Sequence, residues 1–530
     1  MNGPDLSLTN WLLASSPVVI LVVAILWRNW GAPKAGAAAW ILAAVLSYFV
    51  FGSNTDHVAI ATAKGLSLSV FVLTIVWTSV YMFNLVDRLK GINVIGQTMA
   101  RLTEDKLMQA LLVGWGFSSF IQGITGFGVP EAVSGPLLIM LGFKPARAAA
   151  MALVGHGWAV TFGSMGSSYY TIQLVTGIEG SVIAPHMALL FAPIIILSGF
   201  LVAHIFGGFY AVRRSFFVVI IAGSAMAVSM YWLANIGAPQ IASSVPAVLG
   251  MIIIGVLSKT PLSLKSADDK NIEAKKTTSP EDMSFLLAFM PYILLIGLSV
   301  ISQITIIKEA VTHIRWGLDY PSFATSSGFI VPAVESYAPI RILNHPAPLI
   351  AFSVLFSAAI YLVAGRWQKG AAWQSLKLTY NQCLGTTVGV ATMVMMAVVM
   401  ADSGMTVLLA KGIANVSGPI FPLVSPFIGL LGSFMSGSNT NSNVMFGLLQ
   451  LETANALGIG PVTISSIQSI GASVGSPMAP AKVLVGAAVV GLAGKERDIF
   501  KIVIPYILAL VLLAGIEAIL IIELMPNWER

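Results

Sequence analysis

The chain has 530 residues, of which 57 % are hydrophobic and only 9 % charged, with a formal net charge of +6. Soluble domains carry roughly 25 % charged residues, so a multidomain soluble enzyme of this length is excluded, as is a disordered or fibrous chain. Apolar runs recur from Trp11 to Leu524. They are too long and too continuous for an outer-membrane barrel and read as membrane helices. The basic residues are scattered in short clusters between these runs, which suggests membrane topology and not nucleic acid. The sole cysteine, Cys383, excludes an intrachain disulfide.

The start, Met1-Asn2-Gly3-Pro4-Asp5, has no basic n-region, so the first apolar run reads as a retained span. In chain order the candidate spans are 9–28, 36–53, 66–87, 182–206, 215–234, 243–258, 284–302, 347–364, 383–402 and 502–524. Two longer apolar regions, 107–166 and 419–494, are interrupted by Gly, Pro and small polar residues. Lys and Arg set orientation. Arg28, Lys34, Arg88, Lys90, Arg101, Lys106, Arg213, Arg214, the lysines of loop 259–283, Arg366, Lys369, Lys377, Lys495, Arg497 and Lys501 all fit the cytoplasm if the N-terminus is outside. The segment 107–142 must then enter and leave on the cytoplasmic side, and 419–458 on the outer side.

This alternation implies an inverted repeat. The first unit is 1–210, with a re-entrant hairpin at about 107–142 and a broken helix at about 146–166. The stretch 211–283 joins the halves. The second unit is 284–530, with a hairpin at about 419–458 and a broken helix at about 461–494. Gly123-Ile124-Thr125-Gly126 corresponds to Gly437-Ser438-Asn439-Thr440, and Gly155 to Gly471. The expected fold is an all-α polytopic membrane protein with about 12 transmembrane helices and two re-entrant hairpins. Discontinuous helices at matching positions of inverted repeats are the mark of secondary transporters. The semi-polar stretches 88–105 and 403–418 are expected along the interface, linking a moving hairpin core to a fixed scaffold.

The motifs Phe120-Ile121-Gln122-Gly123-Ile124-Thr125-Gly126-Phe127-Gly128, Leu141-Gly142-Phe143-Lys144-Pro145, Phe162-Gly163-Ser164-Met165-Gly166, Gly437-Ser438-Asn439-Thr440-Asn441-Ser442-Asn443 and Gly491-Leu492-Ala493-Gly494-Lys495-Glu496 resemble the lactate permease family. That resemblance implies an ion-coupled carrier of lactate, glycolate and related monocarboxylates, usually a proton symporter, in a bacterial inner membrane. The family pattern usually has Glu where this chain has Gln122 and often Asp where it has Asn439. A Lys often found near Ser476 is absent, while Lys482 lies further on.

An anion crossing a bilayer needs donors in place of water. Half-helix starts supply free N–H groups, glycine permits close approach, and Ser, Thr and Asn add neutral donors. The candidate substrate-binding residues are therefore Gln122, Gly123, Thr125, Gly126, Ser164, Gly437, Ser438, Asn439, Thr440, Asn441, Ser473, Ser476 and Lys482. The cluster Gly437 to Asn443 is the strongest candidate, with a helix-capping turn at the interface as its alternative, and Lys482 could snorkel to the interface. Glu131, His156 and Asp402 are candidates for the coupling ion. Glu131 reads either as a proton carrier displaced from position 122 or as a salt-bridge partner, one option being Lys482. Asp402 reads alternatively as a helix-end residue, and His156 as a structural donor. Ser438-Asn439-Thr440 also resembles the hairpin tips of sodium-coupled dicarboxylate carriers, so Na⁺ coupling with another organic anion is the second reading.

No metal site and no cofactor beyond H⁺ or Na⁺ is expected: the histidines at 57, 156, 186, 204, 313 and 345 lack ligand spacing. Nor is there a nucleophile–base pair or a nucleotide-binding Gly-x-x-x-x-Gly-Lys motif, so neither an enzyme nor a pump is expected. Expected partners are a small organic anion and lipid, with a homodimer as one compatible assembly. The external segment 303–346 reads as a cap or as a partly re-entrant loop.

Overall fold

The computed structural model describes residues 6–28, 30–126, 128–260, 283–311, 313–341, 345–525 and 529. Lysines 265, 270, 275 and 276 of the basic loop lie outside the described residues, as does Phe127 of the first hairpin motif. Among the described residues, ten helical stretches are long and apolar enough to cross a bilayer. Two shorter apolar helices, Ser244–Leu257 and Phe285–Ile301, occupy positions also expected as spans.

A scaffold forms around two long helices, Thr55–Arg88 and Ala371–Asp402. Asn54 caps the first, accepting from the His57 backbone N–H at 2.8 Å and relieving the unbonded donors of its first turn. The two helices run antiparallel, as their cross-links record. Lys64 pairs with Asp402 at 3.0 Å, Trp77 donates to Thr387 at 2.9 Å, and Asn84 donates to Thr379 at 2.9 Å. Close backbone approach is possible because Gly65 faces Met395, whose Cα would lie 2.7 Å from a Cβ at that position.

The segment between Phe285–Ile301 and Pro346–Val363, expected as a cap or a partly re-entrant loop, carries a β cap. Strand β1 (Arg315–Tyr320) pairs antiparallel with β4 (Val334–Arg341), and β2 (Phe323–Ala324) pairs with β3 (Ile330–Val331). The cap is tied down by the Ser326 N–H on the Gly52 carbonyl at 2.8 Å and by Tyr320 on Ser67 at 2.7 Å. The Lys64 ammonium lies 5.7 Å from the Phe323 ring centroid, under this cap. Removing one partner of a buried ion pair strands the other charge. Lys64→Ala is therefore expected to lower unfolding free energy by ~3 kcal/mol, read as a loss of thermal midpoint, and the double change Lys64→Met with Asp402→Leu to recover most of it.

Each interrupted region is a helical hairpin followed by a broken helix. The first hairpin has arms Lys106–Ile124 and Val129–Met140. Its ends lie together, because Lys106 donates to the Leu141 carbonyl at 2.7 Å. At the same end Asp105 pairs with Arg214 and Arg147 donates to the Phe206 carbonyl at 2.9 Å. The second hairpin has arms Phe421–Ser436 and Asn439–Leu457, whose ends meet where Phe421 packs with Ala454 and Leu457. The first broken helix consists of Pro145–His156 and Gly163–Thr176, and the second of Pro461–Gly475 and Pro480–Val489.

Several boundaries differ from those expected. The first broken helix continues to Thr176, ten residues beyond the expected 166, because left-handed angles at Ser164, Met165 and Gly166 restart it. The expected spans 182–206 and 215–234 form one helical run, Gly180–Asn235, interrupted only at Gly207 and Gly208. The spans expected at 66–87 and 383–402 gain polar turns at their N-terminal ends.

Candidate functional site

The first broken helix opens between His156 and Gly163, and both hairpin tips close on this opening. On one side, the first arm of hairpin one ends at Ile124 and Thr125 turns extended (φ −147°, ψ 148°). Gly128, with φ 85°, supplies the left-handed residue that starts the second arm. The tip packs directly on the break: the Ser164 Oγ lies 2.7 Å from the position a Cβ on Gly126 would take, and the Gln122 carbonyl lies 2.6 Å from that on Gly163. The Gln122 Oε1 and Thr125 Oγ1 are buried with no hydrogen-bond partner among the described residues. Gly123 instead faces the backbone of Ser244.

On the other side lies the tip of hairpin two. Gly437 is left-handed (φ 71°), and Ser438 caps the following helix by accepting from the Asn441 N–H at 3.3 Å. Asn439 reaches across to the first broken helix, donating to Thr161 Oγ1 at 2.9 Å. Thr440 bonds Ser168 at 2.9 Å. Thr161 donates to the Ser469 carbonyl at 3.0 Å, and Ser473 accepts from the Thr161 N–H at 3.1 Å while donating to the Gly157 carbonyl at 2.7 Å. The Oδ1 atoms of Asn439, Asn441 and Asn443 are buried and lack partners among the described residues. Both the capping role and the proximity to the breaks are thus present: Ser438 caps, and Asn439 and Thr440 face the broken helix.

A third group gathers at the second break. Lys482 is 5 % exposed and donates to Ser476 Oγ at 2.7 Å, so its ammonium turns back to the interruption instead of reaching an interface. Glu131, in the first turn of the second arm of hairpin one, is fully buried, and neither carboxyl oxygen meets a donor from another described residue. It interacts electrostatically with Lys482, but the pair is not within ion-pair distance. His156 Nδ1 bonds the Ala152 carbonyl at 2.7 Å, while its Nε2 is buried without a partner. Asp402 lies with the scaffold, paired to Lys64.

Sequence reasoning passed over Thr161, Ser168 and Ser469, and reached Asn443 only as the end of the Gly437–Asn443 cluster; these four carry much of this network. Asn443 donates to Ser469 Oγ at 2.9 Å and to the Ser168 carbonyl at 3.0 Å. One usable signal was present. Ser466, Ser469, Ser473 and Ser476 recur at helical spacing and mark a polar stripe along this stretch.

The profile of the L-lactate permease family matches residues 10–525. The chain belongs to the L-lactate permease family. It is 26 % identical to the L-lactate permease of Bacillus subtilis (strain 168), over 96 % of this chain and 95 % of that one. It is 25 % identical to the glycolate permease GlcA of Escherichia coli (strain K12), again over 96 % and 95 %. The fold is similar to that of the Alcanivorax borkumensis YdaH transporter, with a TM-score of 0.52 and 13 % identity over 96 % of this chain and 99 % of that one. Permease family membership makes the protein a multi-pass membrane transporter and not an enzyme.

Asn439→Ala in this permease removes the link between hairpin two and Thr161. Loss of a buried hydrogen bond costs about 1–3 kcal/mol. The variant is expected to fold and to lose at least about tenfold in substrate affinity or transport rate, measured by binding to purified protein and by uptake. Unchanged affinity and rate remove this tip from the site.

Proposed function

We propose that this permease is a secondary active symporter of small 2-hydroxy monocarboxylates such as L-lactate and glycolate, coupled to protons by alternating access. The observation that carries this reading is the buried ammonium of Lys482, held by Ser476 at a helix break. It supplies a single cation for a single carboxylate, where a dicarboxylate would bring a second charge. Ser164 and Asn439 bring neutral donors to the opening between the tips, and Thr440 adds a hydroxyl bonded to Ser168. The relatives named L-lactate and glycolate permeases support the substrate class.

The halves 1–210 and 284–530 act as inverted repeats, joined by 211–283. Matched packing supports this. A Cβ on Gly155 would sit 1.8 Å from the Gly114 carbonyl oxygen, and one on Gly471 would sit 2.0 Å from that of Pro426. In each half the broken helix thus touches the first arm of its hairpin through a glycine. The antiparallel pairing of Thr55–Arg88 with Ala371–Asp402 fits the same relation. Glu131 is the proton carrier. His156 keeps a proton on Nδ1 through Ala152, so its neutral ring offers Nε2 as an acceptor. Asp402 serves the scaffold.

A second reading, coupling to Na⁺, draws on the unpartnered amide oxygens of Asn439, Asn441 and Asn443, since Na⁺ is held by neutral oxygen atoms. Uptake into proteoliposomes separates the two. An imposed inward proton gradient is expected to drive uphill L-lactate and glycolate accumulation, and a Na⁺ gradient at constant pH to drive none. The reverse result assigns Na⁺, and accumulation of neither acid overturns the substrate class.

A further inference from the structure

Glu131 and Lys482 come from opposite halves of the chain, on the second arm of hairpin one and the second half of broken helix two. Both are buried, and they interact electrostatically without closing into an ion pair. The ammonium has three donors and uses one on Ser476. The carboxylate oxygens meet no donor from another described residue. Apolar or small groups flank them: Val485 and Gly486 from the helix of Lys482, and Leu153 and Ala149 from the helix ending at His156. Among the described residues the titratable groups acting on this pair are each other and His156, which also interacts with Lys482. With its Nδ1–H donating to the Ala152 carbonyl, neutral His156 adds no charge.

We propose that the Glu131 carboxylate is a built-in stand-in for the substrate, so that the two carboxylates compete for the Lys482 ammonium and only protonation of Glu131 releases it to the incoming anion. This rests on the proton-coupled monocarboxylate reading above and adds the coupling device. The charge count is decisive. Ionised Glu131 with Lys482 is neutral, and a second carboxylate would leave one net buried negative charge, which a low-dielectric interior strongly disfavours. Protonated Glu131 leaves one positive charge, which one monocarboxylate neutralises. One proton from the outer solution forms the Glu131 O–H bond, and the substrate carboxylate takes the freed ammonium donors. On the inner side the substrate leaves, the O–H bond breaks, the proton enters the cytoplasm, and the Glu131 carboxylate returns to the ammonium. Every step keeps the pocket neutral or singly positive, and one proton moves with one anion. His156 and Ser134, whose Oγ is likewise buried without a partner, line this side without changing the count.

The test uses purified full-length protein and L-lactate. Wild-type affinity is expected to weaken by about tenfold per pH unit once Glu131 ionises, the linkage required when one proton must bind with one anion. Glu131→Gln, a permanent mimic of the protonated acid, is expected to bind L-lactate with no such slope. In liposomes it is expected to exchange L-lactate but not to accumulate it on a pH gradient. A Glu131→Gln protein that keeps the wild-type slope, or that accumulates L-lactate uphill, overturns the inference. Should that variant fail to fold, proton uptake by the wild type decides. About one proton per L-lactate bound is expected in weakly buffered solution above the titration of Glu131, and none overturns the inference. Wild-type protein that binds L-lactate with no pH slope overturns this device and leaves the carrier intact. Wild-type protein that binds no 2-hydroxy acid at any pH overturns the functional reading and this device together.

Discussion

Lys482→Gln is expected to weaken binding of a monocarboxylate by roughly a hundredfold, because truncating one partner of a buried charge pair costs 2–5 kcal/mol or more. The neutral amide still fills much of the space and can still donate to Ser476, so the helix break keeps a polar partner. What disappears is the charge that replaces the hydration of the anion. Ser476→Ala is a milder companion, expected to cost about tenfold, since it removes one hydrogen bond to a charged group and leaves the ammonium in place. Isothermal titration with L-lactate on both purified variants measures the difference. Were Lys482 only a snorkelling residue, its loss would reduce expression and leave affinity untouched. An ammonium 5 % exposed and bonded to Ser476 points to the opposite outcome.

Gly155→Ala and Gly471→Ala are expected to destabilise the protein by about 3 kcal/mol each, at the upper end of overpacking costs. The added methyl meets a backbone carbonyl at 1.8 Å or 2.0 Å, and a carbonyl inside a helix cannot rotate aside as a side chain can. Each substitution pushes a hairpin arm off its own broken helix. Gly297→Ala is the control. It lies in the helix Phe285–Ile301 with nothing within 4 Å of the new methyl, so it should be neutral or stabilising by up to about 1 kcal/mol. Thermal unfolding of the three purified variants tests the contrast. Equal losses at positions 155 and 471 would also support the repeat relation.

The hairpins were legible because glycine and proline punctuate long apolar runs: 107–142 and 419–458 were expected, and the arms run Lys106–Met140 and Phe421–Leu457. Helices extending beyond the apolar window were less so. The N-terminal two turns of Thr55–Arg88 and Ala371–Asp402 carry Asp56, His57, Gln374 and Lys377, which hydropathy scores as loop. The continuation of the first broken helix to Thr176 was hidden by its polar sequence, Gly166-Ser167-Ser168, just after the break. Lys482 was legible as a candidate cation with snorkelling left open, because the return of its ammonium to Ser476 depends on the turn at Ala479-Pro480, which spacing alone does not describe. Partners such as Thr161 with Asn439, or Lys64 with Asp402, are 278 and 338 residues apart and are chosen by tertiary packing. The β cap was left open by the sequence because its strands are short and pair across bulges.

The two breaks differ in backbone geometry. The second keeps right-handed angles through Ser476, and Pro477 suits its short turn. The first holds Ser164 at φ 47° and Met165 at φ 55°, left-handed angles that cost a residue with a side chain on the order of 1–3 kcal/mol each. Any rearrangement that returns these two residues to right-handed angles recovers that energy, and the second break has no equivalent recoil. The first break thus holds backbone strain beside both hairpin tips, and the two breaks, alike in position within their regions, are unequal in the strain they store.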